Sequence, residues 1–159
     1  MTAVDGKAGP EEVIEALAAH EDALGDLYAT YAVKFPDAAF FWEDLSAQEY
    51  GHGSLLRDLS RNRDDSAVFV ENGRFQVETL RLAREFVLDV TVVAVHTDFS
   101  LERALGIAFD LEQAIIEQQA YEVVSTDSEN VKKVLEHLRS SSMRHRDSIS
   151  AYLDRLQRL

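Results

Sequence analysis

Apolar positions recur along this chain at steps of three and four residues, the spacing of one helix face, in four long runs. The first is Val13, Leu17, Leu24, Tyr28 and Tyr31. Pro10 followed by Glu11 and Glu12 opens it, because a first helical turn needs no proline N–H and accepts negative charge. Phe35-Pro36 closes it, since the residue before proline leaves helical geometry. A second helix is predicted over about residues 37–59, with Trp42, Leu45, Leu55, Leu56 and Leu59 on its stripe. The short connection between the two predicts an antiparallel hairpin. A third stripe, Leu101, Leu105, Ala108 and Ile115, is capped by Asp98 or Ser100. A fourth, Val131, Val134, Leu138, Ile149, Tyr152 and Leu156, follows a polar turn and cap over residues 125–129.

Between the two pairs, residues 60–72 read as a charged, irregular connection with a turn at Asn72-Gly73. From Phe75 onward, Leu80, Leu82, Phe86, Val87, Val90 and Val93 suit a helix, although residues 86–95 are rich in β-branched side chains and periodicity alone also admits a strand. Helix is preferred because no strand-like segment of comparable quality exists to pair with it. The expected fold class is therefore all-α: two antiparallel helical hairpins joined by a long crossover containing an extra helix.

Composition agrees with that reading. The 159 residues include only 7 glycines and 2 prolines, and the abundant Ala, Leu, Glu and Arg favour helix. Residues 1–10 are expected to form a flexible lead-in and 11–159 a single domain. The formal charge of −13 argues against nucleic acid or an anionic membrane as partner. With no cysteine, disulfides, iron–sulfur clusters and thiol catalysis are excluded. No run has the length or apolarity of a membrane span or signal peptide, so a cytoplasmic location is expected.

The chemistry lies in the polar residues that interrupt the apolar seams. Glu49 and His52 stand three apart on the second helix, a spacing that puts both on one face. That face is otherwise apolar. A carboxylate aimed into a core needs a partner, and a metal ion suits glutamate and histidine together. Glu21 interrupts the first seam, Glu112 the third, and Ser142 and His145 the fourth. The halves share a plan. Glu21 aligns with Glu112, each followed two residues later by alanine, and Leu45, Glu49, His52 and Leu56 align with Leu138, Ser142, His145 and Ile149. Two such hairpins bring Glu21, Glu49, His52, Glu112 and His145 to one level of a bundle.

This arrangement resembles the ferritin-like superfamily and, within it, the rubrerythrin-like proteins, over about residues 11–159. Di-iron carboxylate bundles take one glutamate from each of two helices and Glu-x-x-His from each of the other two. The resemblance implies that Glu21 and Glu112 are the single carboxylates, Glu49 with His52 the intact motif, and His145 the second histidine. Ser142 stands where the sixth ligand, a glutamate, is expected. It further implies one or two iron ions, with manganese or zinc as substitutes, and oxidase, peroxidase or ferroxidase chemistry with dioxygen or hydrogen peroxide. A homodimer and a separate electron-donor protein are the implied partners, the latter because no cysteine-rich redox module is present.

Around this set, Tyr28 lies about 20° around the helix from Glu21, so its hydroxyl can bond a ligand carboxylate; a plain core tyrosine is the other reading. Gln119 occupies the matching place in the second half. Asp110 and Glu117 are substitute carboxylates off the seam. His20, His96 and His137 are off the seams too and read as surface or boundary residues. Ser142 with His145 lacks the orienting group and oxyanion hole of a nucleophilic pair. A bundle with a degenerate metal site, acting as a binding or structural module, is the competing expectation.

Overall fold

A computed structural model describes residues 9–62, 68–70, 73–117, 124–126 and 128–159. Among the described residues the fold is all-α, with five long helices. Helix α1 (Pro10–Lys34) has proline in its first turn and Glu11 and Glu12 beside it, and ends where Phe35 precedes Pro36. A single 3-10 turn (Pro36–Ala38) leads into α2 (Ala39–Asn62), slightly later and longer than the periodicity suggested. Helices α3 (Gly73–His96), α4 (Leu101–Glu117) and α5 (Glu129–Gln157) complete the set. The valine-rich residues 86–95 are helical throughout. Of the two candidate caps before α4, Ser100 is the one used, its Oγ accepting the Arg103 N–H at 3.2 Å. Ser128 caps α5 in the same way, at 3.4 Å from the Val131 nitrogen. Of the expected lead-in over residues 1–10, residues 1–8 lie outside the described residues, as does Gln119, and Pro10 is already the first residue of α1.

One feature departs from the expected pattern. Val68–Val70 (β1) and Val124–Thr126 (β2) pair antiparallel, Val68 opposite Thr126 and Val70 opposite Val124. These segments were expected as a connection and a turn. Three residues are too few for a strand period to register, and the hydrogen-bond partner lies in the other half of the chain. The ladder ties the α2–α3 connection to the α4–α5 connection.

Helix α1 packs along both α2 and α3, α4 packs on α5, and α2 meets α5. The α1–α2 approach is close because small residues line it. A Cβ added at Gly53 would strike the Asp22 carboxylate and lie 3.2 Å from the Ala18 carbonyl oxygen. One added at Gly25 would lie 2.9 Å from the Tyr50 ring. Ser46 donates to the Gly25 carbonyl at 2.8 Å, and Arg57 spans the helices to Asp22 at 2.7 Å and Glu15 at 3.0 Å. At one end, Trp42 packs edge-on to Tyr31 at 4.9 Å and Phe41 at 5.1 Å. Phe99 closes on Tyr31 and Phe35 at 6.0 and 5.9 Å. Such ring pairs add about 0.5–1.5 kcal/mol each beyond area burial. Phe99 therefore fastens the α3–α4 turn to the end of α1. No described helix is long and apolar enough to cross a membrane.

Candidate metal centre

All five expected ligands are buried at one level of the bundle. Relative exposure is 1% for Glu21, 0% for Glu49 and Glu112, 5% for His52 and 2% for His145. They come from four helices, and the three- and four-residue steps that place the apolar stripes inward place these groups inward with them. Two triads result: Glu21, Glu49 and His52, and Glu49, Glu112 and His145. Within each, one ligand atom per residue lies within 4.8 Å of the others. Glu49 belongs to both. Its Oε2 is 3.0 Å from His52 Nδ1 and its Oε1 is 2.7 Å from His145 Nδ1. Glu112 Oε1 is 3.5 Å from the same His145 nitrogen. The two imidazoles stack, with centroids 5.4 Å apart and planes 19° from parallel.

The surroundings orient these groups. Tyr28 donates its hydroxyl to Glu112 Oε1 at 2.7 Å, so the tyrosine is fully buried and hydrogen-bonded to a candidate ligand. Its partner is on the opposite hairpin, not on its own helix. Gln48 Oε1 lies 3.0 Å from His145 Nε2 and Ser141 Oγ lies 3.4 Å from it. Neither residue was expected from the sequence: Gln48 is classed as exposed, and Ser141 is one of three consecutive serines with nothing to distinguish it. Ser142 is buried, 1% exposed, on the inward face of α5.

Electrostatics follow from burial and proximity. Burial alone would raise the Glu49 pKa, but hydrogen bonds from His145 and His52 outweigh it and hold the carboxyl far below its usual range. Burial, then repulsion from Glu49, pushes Glu112 up to about 7. For His145, burial acts downward, yet its bonds to Glu112 and Glu49 raise it to about 10. Both its ring nitrogens face acceptor oxygens, the arrangement an imidazolium requires. Tyr28 is raised well above the usual tyrosine value by burial and then by the charge of Glu112.

The donor set fits a divalent metal. Three buried carboxylates and two imidazoles are hard and borderline ligands of the kind that hold iron, manganese or zinc. Glu112 Oε2 is buried with no hydrogen-bond partner among the described residues, an arrangement that costs about 1–3 kcal/mol or more unless a cation or donor meets the oxygen. Glu21, Glu49 and His52 would hold one ion and Glu49, Glu112 and His145 a second, with Glu49 shared.

The other titratable groups divide. His96 and His137 are exposed, and so are Asp110, Glu117, Lys132, Lys133 and Glu136. His20 corrects the expectation of a surface or boundary residue: it is 3% exposed, and burial, opposed in part by the charge of Glu49, lowers its pKa to about 4. The reason is tertiary, because α3 covers the face of α1 that the hairpin alone would leave to solvent.

The described residues thus form an all-α fold with a cluster of carboxylates and imidazoles in its core. A scan against protein-family models, a search of curated proteins and a search of solved structures each found no match.

Proposed function

We propose that this chain is a ferritin-like, rubrerythrin-like bundle that holds one or two metal ions, iron foremost, and reacts with dioxygen or hydrogen peroxide as an oxidase, peroxidase or ferroxidase. The observation that carries the reading is the pair of buried triads sharing Glu49. Bound iron would supply the redox chemistry. The chain's own groups have definite tasks: the carboxylates balance the metal charge, His52 and His145 set the geometry, and Tyr28 holds Glu112 in place. Gln48 and Ser141 orient His145. Electrons would come from a separate donor protein. Exposed Leu82, Phe86, Val92 and Val93 on α3 support a homodimer through the crossover helix.

The test is metal content. Protein purified from iron-supplemented cells should carry at least about one metal per chain, with metal–ligand distances of about 2.0–2.2 Å, and Glu49→Gln should lose both ions. A bundle that stays metal-free after loading overturns the reading. One observation favours the competing reading of a metal-free structural or binding module. His145, as an imidazolium, already satisfies Glu49 and Gln48, so the core is electrostatically viable without a metal. The same measurement separates the two.

A further inference from the structure

Helix α2 carries a second polar pair beside the centre. Asp44 and Gln48 stand four apart on one face of it, and both are exposed. Gln48 Nε2 donates to Asp44 Oδ2 at 2.8 Å, and a carboxylate offers only acceptors. The amide is therefore turned one way, nitrogen toward Asp44 and oxygen toward α5. That oxygen lies 3.0 Å from His145 Nε2. An amide oxygen only accepts, so Nε2 must carry a proton whether the ring is neutral or charged. Ser141 Oγ, 3.4 Å from the same nitrogen, both donates and accepts and leaves that choice open. With Nε2 protonated, a neutral His145 has its lone pair on Nδ1. This atom faces Glu49 Oε1 at 2.7 Å and Glu112 Oε1 at 3.5 Å.

We propose that Asp44 and Gln48 are positioning residues of the metal centre: Asp44 fixes the Gln48 amide, Gln48 keeps the His145 proton on Nε2, and Nδ1 is left as the ligand atom. The bond made by one imidazole nitrogen sets what the other can do. These roles rest on the metal reading above and add a surface residue to it, two hydrogen bonds away from any metal. Asp44 acts as an acceptor, not as a charge. His145 belongs only to the triad with Glu49 and Glu112, so the ion held there should respond and the one beside His52 should respond less.

The experiment loads the full chain, labelled with ¹⁵N-histidine, with zinc as a diamagnetic probe, and reads each ring by long-range ¹H–¹⁵N correlation. His145 should bind through Nδ1 with its proton on Nε2. Gln48→Met keeps the length of the side chain without the acceptor and should weaken the His145 ion by about 10–100-fold, measured by chelator competition. Gln48→Glu, which keeps an acceptor, should restore it. Asp44→Ala should weaken the same ion by a smaller factor, and Asp44→Asn, an acceptor without charge, should restore it. Ser141→Ala should cost less than Gln48→Met. In the metal-free chain the His145 Hε2 proton should exchange slowly, and faster in Gln48→Met. Zinc held through Nε2, Gln48→Met binding as tightly as the parent, Gln48→Glu no better than Gln48→Met, or Ser141→Ala costing as much as Gln48→Met overturns the proposal and leaves the metal reading standing. Asp44→Asn as weak as Asp44→Ala overturns the role of Asp44. A chain that takes up no zinc overturns the metal reading and the ligand assignment with it, whereas Hε2 exchange unchanged by Gln48→Met overturns the proposal whether or not zinc binds.

Discussion

Ser142 is the residue on which the capacity of the centre turns. It is buried on the inward face of α5, one turn from His145, where a glutamate would complete a sixth ligand. On the proposed metal reading, three carboxylates and two imidazoles would leave the Glu112 side one oxygen donor short, and ligand charge count strongly sets metal affinity. Ser142→Glu is therefore expected to raise bound metal toward two per chain and tighten the weaker ion by roughly tenfold or more, measured by metal analysis and competition with a chelator. The metal-free variant should melt lower, because a fourth carboxylate is then added to the core without a cation. Unchanged metal binding would show that position 142 does not face the site. The Tyr28 hydroxyl illustrates what a residue's own helix conceals. Its nearness to Glu21 along α1 is local, whereas its bond to Glu112 depends on how the hairpins meet.

At the scale of elements, the α1–α2 contact sets the distance between Glu21 and the Glu49–His52 pair. Gly53 is next to His52 and sits where the helices nearly touch. Replacing an interior helical glycine by alanine normally gains about 1 kcal/mol in propensity. Here the new methyl meets the Asp22 carboxylate, which Arg57 holds in place, and a backbone carbonyl. Overpacking costs about 1–3 kcal/mol, so the clash should win. Gly53→Ala is expected to lower stability by about 1 kcal/mol and weaken metal binding. Gly51, with nothing within 4 Å of its added Cβ, provides the control: Gly51→Ala should stabilise by about 0.5–1 kcal/mol. Urea denaturation of the two variants checks both signs. Gly53→Ala melting above the parent would mean that α1 and α2 can separate freely.

For the whole molecule, the metal-free chain should have a characteristic pH dependence. His145 is raised from 6.5 to about 10, so its contribution is fully present below about pH 6.5 and is lost as pH rises through 10. Glu112, raised from 4.5 to about 7, loses its contribution between those values. Glu49 is depressed, so its contribution is present above about pH 4.5 and is lost as pH falls through its folded-state value. His20, lowered from 6.5 to about 4, loses its contribution as pH falls between those values and so opposes the gain from Glu112. Urea melts of the metal-free chain should therefore show stability declining from about pH 6.5–7 toward pH 10 and again below about pH 4.5. A flat profile from pH 6 to 10 would contradict the imidazolium assignment. Metal affinity should run the other way and rise with pH, because His145 must shed its proton to ligate.

How much was legible in the sequence differs from one feature to the next, for a single reason. Helical register is local: the three- and four-residue steps around Glu21, Glu49, His52, Glu112 and His145 determine which way each side chain faces, and these five do converge. The capping serines and the ends of α1 were legible in the same way, from groups within a few residues of each other. What a face meets is not local. Only the packing of other helices around α1 buried His20. Only the meeting of the two hairpins assigned Tyr28 to Glu112 and Gln48 to His145, and only the pairing of distant connections formed the β1–β2 ladder. The sequence by itself determined four helices, favoured helix over strand for residues 86–95, and set the inward direction of the candidate ligands. The tertiary structure decided that Glu49 is shared by both triads, because Glu112 and His145 come to it from the second hairpin while Glu21 and His52 belong to the first.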